Sequence, residues 1–298
     1  MILLWGLMED SPLAAVAARL EANGLAWDFV DQRETLESSL SIQLGGKPHG
    51  QLVTPKSRHD ISTISGIYWR QYDFEQVLGL EVNERGGEAW RRAAAFEEAM
   101  TLLAEHSDAT VVNRPSAIGS NNSKPYQLEL IRRVGLAVPE TLISTEPDHV
   151  LDFWKKHGAI IYKSISSCRS IVAQFKEQDV TSLSAITCCP TQFQQYIRGT
   201  DYRVHVIGDQ VFAHEIMCGE DDYRYSSATQ IGTASLPDII AERCVRATGE
   251  LGLDFSGVDL RRSDDGEWFC FEINPSPGFT YFDRENKVCD ALAQYLHT

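Results

Sequence analysis

Residues 257–274 read Gly-Val-Asp-Leu-Arg-Arg-Ser-Asp-Asp-Gly-Glu-Trp-Phe-Cys-Phe-Glu-Ile-Asn, and Pro275-Ser276-Pro277-Gly278 follows at once. Two apolar runs flank the turn residues Ser263-Asp264-Asp265-Gly266, the pattern of a β-hairpin. With a two- or four-residue loop, Val258 and Leu260 share one face with Phe269, Phe271 and Ile273. Asp259, Glu272 and Asn274 then fall together on the other face. Three hard oxygen donors, with positions left for phosphate oxygens and water, suit Mg2+ in a nucleotide site. The competing reading is the solvated face of an amphipathic hairpin, which is commoner for arbitrary acids. The abrupt stop after Asn274, with polar groups gathered at the strand end, favours the metal.

Upstream, TQFQQYI (191–197), DYRVHVIG (201–208) and QVFAHEIM (210–217) read as successive strands, the last two joined at Gly208-Asp209. AIIYKS (159–164) is another strand. YQLELIRRVG, HVLDFWKKHG, DIIAERCVRATGELG and the C-terminal KVCDALAQYLHT read as helices. The N-terminal part opens as β-α-β: ILLWGL, then a helix entered at Ser11-Pro12 and closed by Asn23-Gly24, then LAWDFV. Only Gly6 lies in the first turn, so the glycine fingerprint of dinucleotide binding is absent. SGIYWRQYD and ATVVN read as further strands, with the clearest helix over 88–106. The pattern divides the chain into an α/β domain over 1–112 and two further units over 113–190 and 191–298.

The 298 residues carry a net charge of −15, with 43% hydrophobic and 23% charged residues. That is ordinary globular composition, and the acidity disfavours a nucleic-acid or membrane-surface partner. It does not exclude a local basic pocket for phosphate. The seven cysteines all follow residue 167 without CxxC spacing, which argues against a zinc site or a disulfide framework. Vicinal Cys188-Cys189 before Pro190 reads as a buried loop entry and not as a redox pair. The N-terminus lacks a basic signal-peptide region, and no apolar run reaches the ~18 residues of a membrane span. A cytoplasmic protein in a reducing compartment is expected.

An ordered series over roughly 110–298 resembles the ATP-grasp superfamily and, within it, the RimK-like carboxylate–amine ligases. Its members are Asn113-Arg114-Pro115, SNNSKPYQLELIRRVGLAVPETLIST (120–145), AIIYKS, TQFQQYIRGTDYRVHVIGDQVFAHEI (191–216), GVDL (257–260) and FEINPSPG (271–278). The resemblance implies an ATP-grasp fold, α+β in the grasp part, behind an N-terminal pre-ATP-grasp α/β domain, with ATP clamped between 113–190 and 191–298. It implies that Lys124 and Lys163 contact the nucleotide phosphates, and that Gln194, Gln195, Tyr196 and Ile197 form the hinge facing the adenine edge. Asp201 then contacts the ribose or the hinge, and Arg203 the transferred phosphate. Asp259, Glu272 and Asn274 match the metal-binding set for one or two Mg2+. Arg224 is a candidate for gripping the acyl phosphate or the acceptor, against pairing with Asp221 or Asp222, and Arg70 is a candidate substrate contact from the first domain. The family's Gly-rich loop after the second lysine is here Ser164-Ile165-Ser166-Ser167-Cys168-Arg169-Ser170, without glycine. His205 and His214 read as packed strand residues in preference to bases.

The activity implied is ATP-dependent ligation of a carboxylate to an amine, or to a hydroxyl as an ester, through an acyl phosphate. RimK-like relatives add amino acids to small molecules or protein ends, and others crosslink side chains of ribosomally made peptides (graspetides). Substrates of either kind fit, and a homo-oligomeric state is left open. A non-catalytic ATP-binding sensor or scaffold is the competing class, and the full metal set favours the enzyme.

Overall fold

The computed structural model describes residues 1–45, 47–119, 123–165, 172–217 and 230–298, the Ser164 side chain excepted. Strand β1 (Ile2–Gly6) is buried along its whole length. Helix α1 (Ser11–Ala22) has Pro12 in its first turn and buries Leu13, Val16, Ala17 and Leu20, after which β2 (Trp27–Asp31) pairs parallel to β1. A small antiparallel sheet of β3 (Ser39–Gln43), β4 (His49–Val53) and β5 (Arg58–Asp60) comes next. β6 (Gly66–Trp69), α2 (Phe74–Leu78), α3 (Glu88–His106) and β7 (Thr110–Val112) complete a parallel sheet of order β2-β1-β6-β7.

After α4 (Pro115–Ile118) and α5 (Lys124–Arg133), a second sheet forms from β8 (Thr141–Ser144), β9 (Ile160–Ser164), β10 (Ala173–Gln174) and β11 (Thr191–Gln195), in the order β10-β9-β11-β8. Helix α6 (Pro147–His157) covers it through Val150, against Ile160, Phe175 and Phe193. Cys188 and Cys189 end a 3-10 stretch (Glu177–Cys188) and both are exposed free thiols, so the expected burial of that pair is corrected. Leu183 and Ile186 take the buried positions of that stretch, which leaves the pair at its end exposed.

The third unit is a five-stranded antiparallel sheet of order β14-β13-β12-β15-β16. It comprises β12 (Gly199–Ile207), β13 (Gln210–Met217), β14 (Gln230–Ala234), β15 (Phe255–Ser263) and β16 (Trp268–Asn274). Helices α5 and α7 (Asp238–Glu250) pack on one face through Leu128, Ile131, Ile240 and Cys244 against Val204, Val258, Cys270 and Ile273. The last helix, α8 (Lys287–Tyr295), turns back to the first domain: Val288 and Leu292 join Ile2, Leu4, Leu13 and Tyr68 in one core. Arg19 of α1 forms an ion pair with Asp290 of α8.

The β15–β16 hairpin departs from the even-loop expectation in two compensating ways. Its loop has three residues, Asp264–Gly266, with Ser263 N donating to Glu267 O at 2.8 Å and Gly266 at φ +92°. An odd loop inverts the facing relation, so Leu260 pairs with Cys270, and both are buried. Phe269 and Phe271 therefore leave the core face, contrary to the sequence expectation. A bulge between Asp259 and Leu260 then restores the register, pairing Asp259 with Glu272 and Gly257 with Asn274. The three oxygen donors keep the shared face that the sequence pattern implied.

Side chains from other units hold this strand end. Gln127 of α5, fully buried, donates Nε2 to Ile273 O (2.7 Å) and accepts from Ile273 N (2.9 Å), acting as a sixth strand's worth of pairing on the sheet edge. Asn113, just past β7, donates Nδ2 to Phe255 O (2.7 Å) and Pro275 O (2.6 Å), and its Oδ1 accepts from Asp254 N and Phe255 N. Arg70, just past β6, is buried against Asp10 (2.6 Å) and donates to Ser276 Oγ (2.7 Å). Asn113→Ala strips four partners at once from a buried position and is expected to cost about 3 kcal/mol in urea unfolding. A change within about 0.5 kcal/mol would contradict this clasp.

Candidate active site

The face of the third sheet opposite α5 and α7 meets the second sheet across a cavity of about 890 Å³, its open mouth included. Ile161 and Lys163 reach it from β9, Gln194 and Gln195 from β11, and Tyr196 and Ile197 from the linker that crosses to β12. Asp201 and Arg203 come from β12, Asp259 and Arg261 from β15, and Phe271 and Glu272 from β16. The alternation of β9 and β12 explains the pairs: residues two apart share a face. At β16 the bulge brings two consecutive residues, Phe271 and Glu272, to the cavity.

Arg203, Asp259 and Glu272 are direct cross-strand partners and form one row across three strands. Arg203 Nε lies 3.0 Å from Asp259 Oδ1, and Lys124 Nζ lies 3.6 Å from Glu272 Oε2. Lys163 is buried. Lys124, at the start of α5, thus stands against a carboxylate and is not among the cavity-lining residues. Asn274 Oδ1 accepts from Ser276 N at 2.9 Å, one strand step beyond Glu272. Among the described residues no three His, Cys, Asp or Glu side chains converge as a self-sufficient metal cluster. Two carboxylates and a neighbouring amide form an all-oxygen set that needs phosphate or water to complete it, and that chemistry fits Mg2+.

Arg261 and Phe271 were not singled out by the sequence reading. Arg261 grips Asp201 with both arms of its fork, Nε to Oδ1 at 2.6 Å and Nη2 to Oδ2 at 2.7 Å, while Nη1 donates to Ile197 O at 2.8 Å. Its guanidinium also lies against the Tyr196 ring (5.9 Å) and the Phe271 ring (5.4 Å). Asp201 is thereby held at the linker by a bidentate ion pair. A sequence signal existed: Asp201-Tyr202-Arg203 runs antiparallel to Asp259-Leu260-Arg261, so the pairing that sets Arg203 on Asp259 also sets Asp201 on Arg261.

Arg70, the candidate substrate contact from the first domain, is not among the residues lining this cavity and is engaged by Asp10, Ser276 and the Pro277 carbonyl. Arg224, its alternative partners Asp221 and Asp222, and loop residues 166–170 lie outside the described residues. Burial pushes the Cys244 and Cys289 thiols up to about 12, and Cys270 well above the usual thiol range. None of these three offers a thiolate nucleophile at neutral pH. His205, enclosed by Phe255, Phe279 and Phe282, is held far below the ordinary histidine range by burial and then by Arg203.

Two sheets closing on a cavity lined by Lys163, Arg203, Arg261 and the paired carboxylates Asp259 and Glu272 have a charge pattern that suits a phosphorylated ligand and its cation. The model of the RimK-like ATP-grasp domain family matches residues 121–296, and the chain belongs to that family of ATP-dependent ligases. A probable alpha-L-glutamate ligase of Photobacterium profundum is 30% identical over 207 residues, 64% of this chain and 68% of that protein. One of Marinomonas sp. is 31% identical over 180 residues, 60% of its own length. Among solved structures, the macrocyclase MdnC of Microcystis aeruginosa, bound to precursor peptide MdnA, superposes with a TM-score of 0.82 at 20% identity over all of both chains. The ATP-grasp ligase PsnB, complexed with a minimal precursor variant, Mg and ADP, gives 0.81 at 26% identity over 99% of this chain and 97% of its own. The ATP-grasp fold expected from the sequence is therefore present. The chain is an enzyme that forms amide bonds with ATP and Mg2+.

Arg261→Ala removes the bidentate pair and the hold on the Ile197 carbonyl. Calorimetry is expected to show ATP affinity falling about tenfold, together with a lower melting temperature because Asp201 loses its partner. Unaltered affinity would separate Arg261 from nucleotide binding.

Proposed function

We propose that this chain activates a side-chain carboxylate of a peptide as an acyl phosphate and transfers it to an amine of the same or a second peptide. The observation that carries the reading is the closeness of the likeness. PsnB matches over 99% of this chain, the N-terminal α/β domain included, whereas the glutamate ligases match 64% of it or less. The D-alanyl-alanine synthetase A of Vibrio cholerae also spans 99% of this chain, but with a TM-score of 0.64 against 0.81 for PsnB, so the closeness of the superposition, more than its extent, supports the peptide reading. The glutamate ligases favour a second reading, in which a free amino acid supplies one of the two groups.

A carboxylate is a poor acyl donor because its leaving group would be oxide. Transfer of the γ-phosphoryl group to a carboxylate oxygen releases ADP and gives an acyl phosphate. The amine nitrogen then attacks the acyl carbon, and the C–O bond breaks with its electron pair leaving on phosphate. Such chemistry asks for positioning and charge compensation and requires no enzyme nucleophile. Lys163, Lys124 and Arg203 offset the charge on the phosphates, and Gln194–Ile197 present backbone to the base. Asp259, Glu272 and Asn274 hold one or two Mg2+, which when bound neutralise and orient phosphate oxygens. The free thiols at Cys188 and Cys189 fit a reducing, cytoplasmic setting.

With ATP and Mg2+, a pool of peptides carrying both acidic and lysine side chains is expected to release ADP and to lose one water per bond formed. L-Glutamate alone is expected to release far less. The reverse preference would favour the amino-acid ligase. Glu272→Gln is expected to lower turnover by about 100-fold or more while the protein stays folded, because a charge facing the phosphates is lost. Near-wild-type turnover would overturn the metal assignment.

A further inference from the structure

A second cavity, of about 960 Å³, opens beside the first on the same face of the third sheet. The two are linked by one cross-strand row. Glu272 pairs with Asp259, Asp259 with Arg203, Arg203 with His214, and His214 with Thr233. Directly opposed residues of a sheet point to the same side, and strands lie about 5 Å apart. His214 therefore follows Arg203 as the next side chain along the row, about 10 Å from Asp259 in backbone terms and on the side away from the metal-binding carboxylates. Glu272, Asp259 and Arg203 line the first cavity, and His214 and Thr233 line the second. Phe282, which lines the second cavity, lies against both members of the row, its ring 5.7 Å from the Arg203 guanidinium and 5.9 Å from the His214 ring.

We propose that the second cavity admits the amine nucleophile and that His214 takes a proton from it. This rests on the ligase reading above. His214 is 9% exposed, and its Nδ1 has no hydrogen-bond partner among the described residues. A buried polar nitrogen without a partner beside an open cavity is a costly arrangement unless a ligand meets it. The groups facing the ring are Arg203 and His205 from β12, Thr233 from β14, and Phe282 and Asp283 from the segment before α8. Arg284, Glu285 and Lys287 line the same cavity, Glu285 paired with Lys287 at 2.6 Å. Asp283 is occupied in capping α8, accepting from Val288 N (3.1 Å) and Cys289 N (2.8 Å). Burial holds His214 below the ordinary histidine range, with Asp283 opposing in part, so the ring is neutral at pH 7 and has a lone pair to accept with.

An amine side chain arrives at neutral pH as an ammonium, which has no lone pair for attack. His214 accepts one proton as the nitrogen closes on the acyl carbon; the transfer to this weaker base is uphill by itself and is drawn forward by formation of the C–N bond and loss of phosphate. The nitrogen bonds to the acyl carbon as the C–O bond to phosphate breaks, and the second proton leaves with the phosphate. The imidazolium returns its proton to solvent. Arg203, between the two cavities, faces the acyl phosphate from one side of the row while His214 faces the amine from the other.

The test compares two nucleophiles on peptides that carry both an acid and a lysine, with ATP and Mg2+. Hydroxylamine is uncharged at neutral pH and needs no base, so it traps the acyl phosphate as a hydroxamate. His214→Gln is expected to keep hydroxamate formation within about threefold of wild type and to lose about 100-fold in lysine amide formation. Between about pH 7 and pH 9 the wild-type amide rate is expected to stay level, whereas the variant's rises about tenfold per unit with the free-amine fraction. Equal losses with both nucleophiles, or no loss with either, would overturn the proposal. If the variant does not fold, a wild-type amide rate that tracks the free-amine fraction overturns it, and a level one upholds it. A wild-type enzyme that makes neither product overturns the peptide-substrate reading of the proposed function and this inference with it, whereas hydroxamate without base dependence of the amide rejects His214 alone.

Discussion

The pairing of Asp259 with Glu272 across β15 and β16 is the constraint on which the rest of the structure depends. Two carboxylates side by side repel and gain little from each other, so the fold must impose the arrangement. It does so from three directions. The three-residue loop and the bulge set the register. Gln127 closes the open edge of β16 at Ile273, between Glu272 and Asn274. Asn113 and Arg70 grip the chain just beyond, at Pro275 and Ser276. These last two extend from the ends of parallel strands in the first domain, so that domain is a structural part of the site as well as a neighbour of it.

Charge is balanced in the same place. The protein as a whole is strongly acidic, yet each carboxylate of the pair has a cation at hand, Arg203 for Asp259 and Lys124 for Glu272. Lys163 adds a buried positive charge from the opposite sheet. Under the proposed function, a nucleotide arriving with its divalent cation would replace these contacts with new ones of the same sign pattern, and the acidic exterior has little say inside the cavity. Arg261 serves a different purpose, tying Asp201, the Ile197 carbonyl, Tyr196 and Phe271 into one unit where the chain passes between sheets.

Much of this was legible in the sequence because it rests on period and order. The alternation of Val258, Asp259 and Leu260, the long helix over 88–106, and the lysine closing AIIYKS all reflect local rules, and the structure contains each element. What escaped depended on facts that a single strand does not carry. Phe271 reaches the cavity only because of a bulge. Ser39–Asp60 forms a small sheet from strands whose residues are largely exposed, and so shows little hydrophobic contrast. Arg70 read as a candidate substrate contact, and its pairing with Asp10, sixty residues earlier, shows in neither segment taken alone. His214 read as a packed residue, and its significance came from the row it occupies and not from its own strand.

The central claim is that a carboxylate is activated by phosphoryl transfer in the cavity floored by Arg203, Asp259 and Glu272. The most direct measurement labels the peptide carboxylates with oxygen-18, runs the reaction with ATP and Mg2+, and analyses the released phosphate. Phosphate carrying one labelled oxygen for each amide formed is the predicted result. Unlabelled phosphate, with amide still produced, would contradict the account.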